Sequence, residues 1–290
     1  MAVRKKLKLD PAWSVDEALK RVVRELLPRL ESGERGVIET DESKYVHRAR
    51  VALRRMRSAL RLHDGGDDAV SDLRAGLKRI AQFLGSARDW DVLLEDTLPL
   101  LRRAYGKSAT LDRVQRIALI ERDSARAEAA KALGSPYYRA LKSQLVRWLD
   151  RPARHPASVP LKVFAAKSIG KAHKGLLHEA GDLAALTRAR RHGVRLQAKR
   201  LRYTLEFFQS LYGRGLAAPF LRELVAIQDA LGAAEDARTA VQLFASLRPG
   251  SAIARFAREW LAVREQRNVA AAQRAIARLG RSKRFWKART

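Results

Sequence analysis

Residues 45–62 read YVHRARVALRRMRSALRL, and residues 190–207 read RRHGVRLQAKRLRYTLEF. In both stretches apolar residues recur every three or four positions, which is typical of a helix with one face in a core. The apolar faces hold Ala49, Leu53, Met56 and Leu60 in the first stretch and Val194, Ala198, Leu201 and Leu205 in the second. We therefore predict two amphipathic helices of the same design.

The same spacing continues through nearly the whole chain, and the alternating pattern of a β-strand is scarce. We therefore predict an all-α protein. Capping residues and breakers predict the helix ends. The first helix begins after Ser14, where Glu17 completes a capping box, and the second runs from Asp41 or Glu42 to the pair Gly65-Gly66. The further helices are expected over about 67–85, 89–105, 111–133, 161–180, 187–212, 218–231, 236–247 and 251–279, with one more around Trp148.

The composition indicates a folded protein with an anionic partner. The 59 Lys and Arg residues exceed the 31 Asp and Glu residues by 28, and 47% of residues are hydrophobic. This hydrophobic content excludes a disordered polycation, and the lack of cysteine excludes disulfides, thiolate zinc sites and a cysteine nucleophile. Neither a secretory signal nor an apolar run of about 20 residues is present. We therefore expect a cytoplasmic protein without a membrane span.

The two quoted stretches also match in their polar residues, at a constant offset of 192 − 47 = 145 positions. A second match follows at nearly the same offset, LGSARDWDV at 84–92 over LGAAEDART at 231–239. Two ordered matches half a chain apart indicate an internal duplication. The aligned pairs of the first match include His47 with His192, Arg50 with Arg195, Arg54 with Lys199, Arg55 with Arg200, Arg57 with Arg202 and Leu60 with Leu205.

The chain of 290 residues is long enough for one large domain or two small ones. Three prolines in ten positions mark RPARHPASVP, residues 151–160, as the expected linker between halves. The predicted organisation is a basic N-terminal tail over 1–13, a first helical bundle over 14–150 and a second over 161–290.

The basic residues of the two helices form stripes. At 100° per residue, each set falls within an arc of about 80° beside the apolar face. The first basic stripe comprises His47, Arg50, Arg54 and Arg57, and the second basic stripe comprises His192, Arg195, Lys199 and Arg202. Arg61 extends the first stripe by one turn, whereas Glu206 stands at the equivalent position of the second helix.

Neither helix carries an acidic residue near its stripe. Residues 45–63 contain six arginines and residues 187–205 contain seven Lys or Arg, without Asp or Glu in either range. A solvated helix face normally mixes both signs, because like charges four residues apart repel. We therefore predict that a bound anion relieves this repulsion. Rows of guanidinium groups one turn apart suit a polyphosphate-like chain, since each can bind two phosphate oxygens.

Two other functions stay open on these observations. A non-specific nucleic-acid binder would also carry clustered arginines, although most aromatic residues lie within apolar helix faces, with Tyr203 the exception. An enzyme would need a catalytic motif, and the HExxH, Walker and dinucleotide patterns are all missing. Asp89 and Asp236 follow Gly85 and Gly232 by four residues and are expected as helix caps or as carboxylates that orient stripe arginines. We therefore predict no catalytic residue, no cofactor and no metal site.

At these residues the sequence resembles the CHAD domain family, which is named after a histidine-bearing α-helical domain. The family pattern HxxRxxxRRxR begins here at His47 and again at His192, where one Lys replaces an Arg. The blocks at 84–92, at 135–141 (SPYYRAL) and at 283–287 (KRFWK) are also similar to those of the family.

The resemblance implies a compact all-α fold of two related bundles about a pseudo-twofold axis. Their basic faces would converge on a central channel that binds inorganic polyphosphate, and the protein would associate with intracellular polyphosphate granules. The resemblance makes the two basic stripes the expected phosphate contacts. Secondary candidates are Arg21, Arg55, Arg61, Arg126, Lys167, Lys171, Arg200, Tyr203 and Arg267.

Overall fold

The computed structural model describes residues 7–63, 67–153, 159–213 and 215–287, in which ten α-helices and no β-strand occur. The prediction of an all-α protein is confirmed. A π-helical turn, Leu93–Thr97, joins α3 to α4, and short 3-10 turns follow α8 and α10. The helices are α1 Val15–Glu39, α2 Ser43–Leu62, α3 Asp68–Val92, α4 Leu98–Tyr105, α5 Ala109–Gly134, α6 Pro136–Asp150, α7 Leu161–Ala180, α8 Arg188–Phe208, α9 Ala218–Ser246 and α10 Ser251–Arg281.

The N-terminus of α1 has the predicted capping box. The hydroxyl of Ser14 accepts a hydrogen bond of 3.2 Å from the backbone N–H of Glu17, and the carboxylate of Glu17 accepts one of 2.7 Å from the backbone N–H of Ser14. Two of the N–H groups that a helix start leaves unpaired are thereby satisfied. The predicted helix end at Gly65-Gly66 and the linker residues 154–158 lie outside the described residues.

The helix ends predicted at Gly85 and Gly232 are wrong. α3 continues through Gly85 and α9 continues through Gly232 without a break. A glycine inside a helix costs only about 1 kcal/mol relative to alanine, and apolar residues on both sides of each glycine pack into the core. These neighbours are Leu84 and Ala87 in α3 and Leu231 and Ala234 in α9.

Asp89 and Asp236 therefore lie inside helices and cap neither of them. Among the two roles expected for these carboxylates, the helix cap is excluded. Their orientation of a stripe arginine stays a prediction.

The order of helix packing is the same in the two halves of the chain. In the first half α1 packs on α2, α2 on α3 and α3 on α5, and in the second half α7 packs on α8, α8 on α9 and α9 on α10. The halves meet where α2 packs on α8 and α3 on α9. The helices that carry the two basic stripes are therefore neighbours.

One large hydrophobic core takes residues from both halves. Leu53 and Met56 of α2 and Leu201 and Leu205 of α8 are fully buried in it, as the apolar spacing predicts. Burying each such side chain stabilises the fold by roughly 1.5–3 kcal/mol, so the core fixes which faces of α2 and α8 remain for the stripes. A smaller core packs the α3–α4 junction and α5 against α9 and α10.

None of the helices in the described ranges is long and apolar enough to cross a membrane.

Candidate functional site

The two basic stripes lie on neighbouring faces of α2 and α8. The Arg and Lys side chains of both stripes are half-buried, whereas His47 and His192 are exposed. The stripes run beside the buried apolar faces, so their stems pack on the core while their charged ends face the groove between helices.

Four stripe residues from both halves approach one another, and we call Arg50, Arg54, Arg195 and Lys199 the central cluster. Burial, together with the positive charges of Arg195, Arg54 and Arg50, lowers the pKa of Lys199 to about 6. The pKa of Arg195 is also lowered, by burial and by the charge of Arg54. Because like charges and burial both penalise the charged form, the cluster is an electrostatically strained group of cations.

Arg50 packs against α3 beside Gly85, the residue at which the sequence predicted a helix end. Its Nη1 donates a hydrogen bond of 3.3 Å to the carbonyl oxygen of Ala81. A Cβ added at Gly85 would lie 2.8 Å from that Nη1 atom, which is too close for normal contact. Gly85 therefore provides space for the guanidinium of Arg50 inside a continuous helix.

Asp89 and Asp236 contribute negative charges that act on the central cluster. Burial raises the pKa of Asp89, and the positive charge of Arg50 opposes that rise. Asp236 has the matching environment, since burial raises its pKa and Arg195 opposes the rise. In each half of the site, one arginine of α2 or α8 thus interacts electrostatically with one aspartate of α3 or α9.

Tyr203 connects the two stripes. Its phenolic oxygen accepts a hydrogen bond of 2.7 Å from Nε of Arg54, and the guanidinium carbon of Arg55 lies 5.4 Å from the centre of its ring. The sequence places Tyr203 outside the apolar faces, but the side chain is only 4% exposed. Tyr203 therefore positions arginines from within the core edge and does not offer a free ring to a ligand.

Arg202 and Arg55 share one carboxylate. Nε of Arg202 donates to Oε1 of Glu206 at 2.7 Å, and Nη1 of Arg202 donates to Oε1 of Gln228 at 3.2 Å. Arg55 forms an ion pair with the other oxygen of Glu206. The charge of Arg202 is therefore already compensated within the protein.

The N-terminal end of the second basic stripe is also compensated. Nδ1 of His192 lies 3.7 Å from the carboxylate of Glu235, which forms an ion pair with Arg238 as well. One turn before Arg195, Arg191 forms an ion pair of 3.2 Å with Glu265.

A cleft of about 220 Å³ opens between α2 and α3 on the side of the first basic stripe, and we call it the α2–α3 cleft. Arg57 lies in it, and burial and the charge of Arg74 lower the pKa of Arg57. Lys78, which sequence reasoning missed, is also part of this cleft. The signal was available, since residues 73–88 contain four Lys or Arg and no acid. The cleft is lined by Arg50, Arg54, Arg57, Lys78, Ala81 and Gln82.

Of the secondary candidates, the structure brings Arg61 and Arg200 close together at the C-terminal end of α2, where burial and the charge of Arg200 lower the pKa of Arg61. Arg126 instead forms a buried ion pair of 2.6 Å with Asp91, which joins α5 to α3.

The other secondary candidates lie on the outer surface. Arg21 forms an ion pair of 2.6 Å with Glu25, one turn further along the same helix. Lys167 and Lys171 on α7 and Arg267 on α10 are exposed, and none of these three forms a hydrogen bond or ion pair within the described part of the chain.

A cavity of about 1000 Å³ lies away from both stripes, beside residues 7–9 and the segment after α8. Its lining is mainly apolar, with Lys8 and Arg222 as the only charged residues, so it does not suit a polyanion. Among the described residues, no group of three or more His, Asp or Glu side chains is placed to hold a metal ion.

Comparisons with known proteins agree with this architecture. The family model described as CHAD domain matches residues 21–245. The crystal structure of the CHAD domain from the plant Ricinus communis is similar, with a TM-score of 0.80 and 29% identity over 94% of this chain and 95% of that chain. PptA from Streptomyces chartreusis shares the fold, with a TM-score of 0.68 and 19% identity over 93% of this chain and 100% of that chain. No curated protein sequence matches the chain.

Proposed function

The chain belongs to the CHAD domain family, and on that premise we propose that it binds inorganic polyphosphate between α2 and α8. The observation that carries the proposal is the central cluster, in which half-buried cations from both halves of the chain approach one another. A bound polyanion would remove the mutual repulsion that lowers the pKa of Lys199 and Arg195.

The chemistry of the stripes favours a chain of phosphates over a single small anion. Guanidinium groups bind two oxygens of one phosphate through parallel hydrogen bonds. Successive turns of a helix repeat every 5.4 Å or so, so each stripe offers a row of donors along several phosphate units. The stripe residues proposed to contact the ligand are His47, Arg50, Arg54, Arg57, His192, Arg195, Lys199 and Arg202.

We take the α2–α3 cleft and a small pocket of about 20 Å³ beside Arg195, Arg191 and Arg238 as parts of one basic channel between two duplicated bundles. The matching order of helix packing in the two halves supports the duplication. Through this channel the protein would associate with polyphosphate granules in the cytoplasm.

We further propose that the protein holds polyphosphate without cleaving it. The charges of Asp89 and Asp236 act on the central cluster, and each aspartate interacts with one arginine of the cluster. A carboxylate that neutralises an arginine in this way is suited to orienting it, not to activating a nucleophile.

The test is calorimetric titration of the nuclease-treated protein with long-chain polyphosphate and, in parallel, with random-sequence duplex DNA at about 150 mM salt, where non-specific DNA binding is weak. We expect tighter binding of polyphosphate and no change in its length on a gel. Equal or tighter binding of DNA would favour a general nucleic-acid binder, and shortening of the polyphosphate would make the protein an enzyme.

A matched pair of variants shows whether the central cluster carries the binding. Arg50→Glu with Arg195→Glu is expected to abolish polyphosphate binding while helicity by circular dichroism is kept. Arg255→Glu with Arg258→Glu, on the exposed face of α10, makes the same change in net charge and is expected to retain most of the affinity. Similar losses of polyphosphate affinity in both variants would show that the binding site lies outside the central cluster.

A further inference from the structure

The two basic stripes differ in how much of their charge the protein itself compensates. On the α2 side, Arg57 forms no hydrogen bond or ion pair with any described residue, and the same holds for Arg74 and Lys78 of α3. Burial and the neighbouring charge of Arg74 lower the pKa of Arg57. Arg57 and Arg74 therefore repel each other beside the α2–α3 cleft, and Lys78 adds a third positive charge to its lining.

On the α8 side the corresponding basic residues have acidic partners. Arg202 is paired with Glu206, and His192 and Arg238 both face Glu235. A cation that already has a carboxylate partner gains less from a phosphate, because the phosphate must compete with that partner.

This difference is encoded at aligned positions of the two halves. Glu206 aligns with Arg61 at the offset 206 − 61 = 145, and Glu235 aligns with Arg88 at the offset 235 − 88 = 147. At both positions an arginine of the first half is replaced by a glutamate in the second. Each replacement adds a negative charge beside the second basic stripe that the first stripe lacks.

We propose that the α2–α3 cleft is the primary phosphate subsite and that Lys78 of α3, which lies outside the family pattern, contacts the ligand there together with Arg57. The charge of Arg74, which acts on Arg57, adds to the attraction for the ligand. This inference rests on the proposed function and assigns the ligand a position within it. The cleft takes a short run of condensed phosphate, and the α8 side holds the chain more weakly.

The experiment compares Lys78→Glu with Arg79→Glu by calorimetric titration with tripolyphosphate and with long-chain polyphosphate. Both substitutions lower the net charge by two and stand at adjacent exposed positions of α3. Lys78 lines the cleft, whereas the Arg79 guanidinium lies 4.8 Å from the ring centre of Tyr137 on α6. We expect Kd for tripolyphosphate to rise about tenfold or more in Lys78→Glu, which is the usual effect of losing a charge-assisted hydrogen bond, and less than twofold in Arg79→Glu.

A second pair of variants tests whether the first basic stripe contributes more to ligand affinity than the second basic stripe does. Arg57→Gln is expected to raise Kd for tripolyphosphate at least threefold more than Arg202→Gln does, although the two positions are aligned. Thermal melts of all four variants identify any that fail to fold, and a misfolded variant is replaced by the corresponding substitution to Met.

The outcomes separate this inference from the proposed function. If the unmodified protein binds no polyphosphate of either length, the proposed function fails. If it binds, but Lys78→Glu and Arg79→Glu weaken binding equally, only overall charge matters and the subsite is wrong. Equal losses of tripolyphosphate affinity in Arg57→Gln and Arg202→Gln would likewise contradict the stronger contribution of the first basic stripe.

Discussion

Nε of Arg54 on α2 donates a hydrogen bond of 2.7 Å to the phenolic oxygen of Tyr203 on α8. The bond crosses from one half of the chain to the other and ends on a side chain that is buried in the core. A buried acceptor holds the guanidinium of Arg54 in one orientation and so reduces the conformational entropy that a ligand must remove on binding. The core therefore helps to preorganise the central cluster.

Tyr203→Phe removes only the hydroxyl that orients Arg54. We expect polyphosphate affinity to fall about fivefold and the free energy of unfolding to fall by about 1 kcal/mol, as is usual for the loss of one hydrogen bond. Calorimetric titration measures the first quantity and urea denaturation the second.

The matched control is Tyr212→Phe. The hydroxyl of Tyr212 is buried without a hydrogen-bond partner among the described residues, so its removal should leave stability unchanged or slightly higher and should not alter affinity. Equal effects in the two variants would mean that the hydroxyl of Tyr203 does not position Arg54.

Gly85→Ala tests whether Gly85 provides the space that the guanidinium of Arg50 occupies. The added methyl group would lie 2.8 Å from Nη1 of Arg50, and because the end of an arginine side chain can move, the helix should persist while the guanidinium is displaced. We expect unchanged helicity and an affinity about fivefold lower, since the displaced group loses its geometry toward phosphate.

Gly232→Ala is the control at the aligned position of α9. Outside the helix's own backbone, no heavy atom lies within 4 Å of a Cβ added there. The higher helix propensity of alanine should therefore raise the free energy of unfolding by about 1 kcal/mol and Tm by about 2–4 °C. The affinity of this variant should equal that of the unmodified protein. An affinity loss in Gly232→Ala as large as that in Gly85→Ala would refute the steric explanation.

The fold and the stripes were predictable because they depend on local periodicity. The spacing of Leu53, Met56, Leu201 and Leu205 identifies the buried faces of α2 and α8, and those faces place the basic residues beside them. The resemblance to the CHAD domain family rests on the same residues.

The continuity of α3 and α9 was not predictable from local signals. Glycine breaks helices often enough to predict an end at Gly85, but tertiary packing of Leu84 and Ala87 outweighs that preference. The sequence carries no sign that the missing side chain at position 85 makes room for Arg50, because that contact depends on how α2 packs on α3.

The sequence indicates only one of the two side chains that accept hydrogen bonds from Arg202. Glu206 stands four residues later, at the spacing of a helical ion pair. Gln228, the second acceptor for Arg202, lies 26 positions away on α9 and is brought near by tertiary packing alone.

Lys199→Met should stabilise the protein in buffer without polyphosphate. The ordinary pKa of a lysine, 10.5, falls to about 6 at this position, so the unfolded chain binds more protons than the folded protein between pH 6 and 10.5. Stability of the unmodified protein therefore rises with pH across that window. At pH 7 we expect the variant to be about 1–3 kcal/mol more stable, with Tm several degrees higher.

The gain in stability should shrink as pH approaches 10, because removing the proton of Lys199 on folding costs less free energy as the pH nears its ordinary pKa. Polyphosphate affinity of Lys199→Met should fall at pH 7, since the ligand loses one cation. Thermal melts at pH 7 and pH 9.5 measure the first effect. A variant that is less stable at both pH values would show that Lys199 contributes packing instead of electrostatic strain.

Polyphosphate affinity should strengthen as pH falls from 8 to 6. Burial and the charges of Arg195, Arg54 and Arg50 lower the pKa of Lys199 to about 6, and Asp236 opposes them weakly. A bound polyanion raises this pKa, so binding takes up a proton and is favoured where protons are available. Partial desolvation of the His47 ring by neighbouring side chains and the charge of Arg88 lower the pKa of His47, which adds a smaller trend of the same sign.

Lys199→Arg keeps a cation in the central cluster that does not titrate in this range, so the dependence of its affinity on pH should be clearly flatter than that of the unmodified protein. We assign the slope that remains to His47, so adding His47→Ala should reduce it further. Calorimetric titration in two buffers of different ionisation enthalpy gives the number of protons taken up directly. An uptake at pH 7 that is the same in Lys199→Arg and in the unmodified protein would assign the pH dependence to groups other than Lys199.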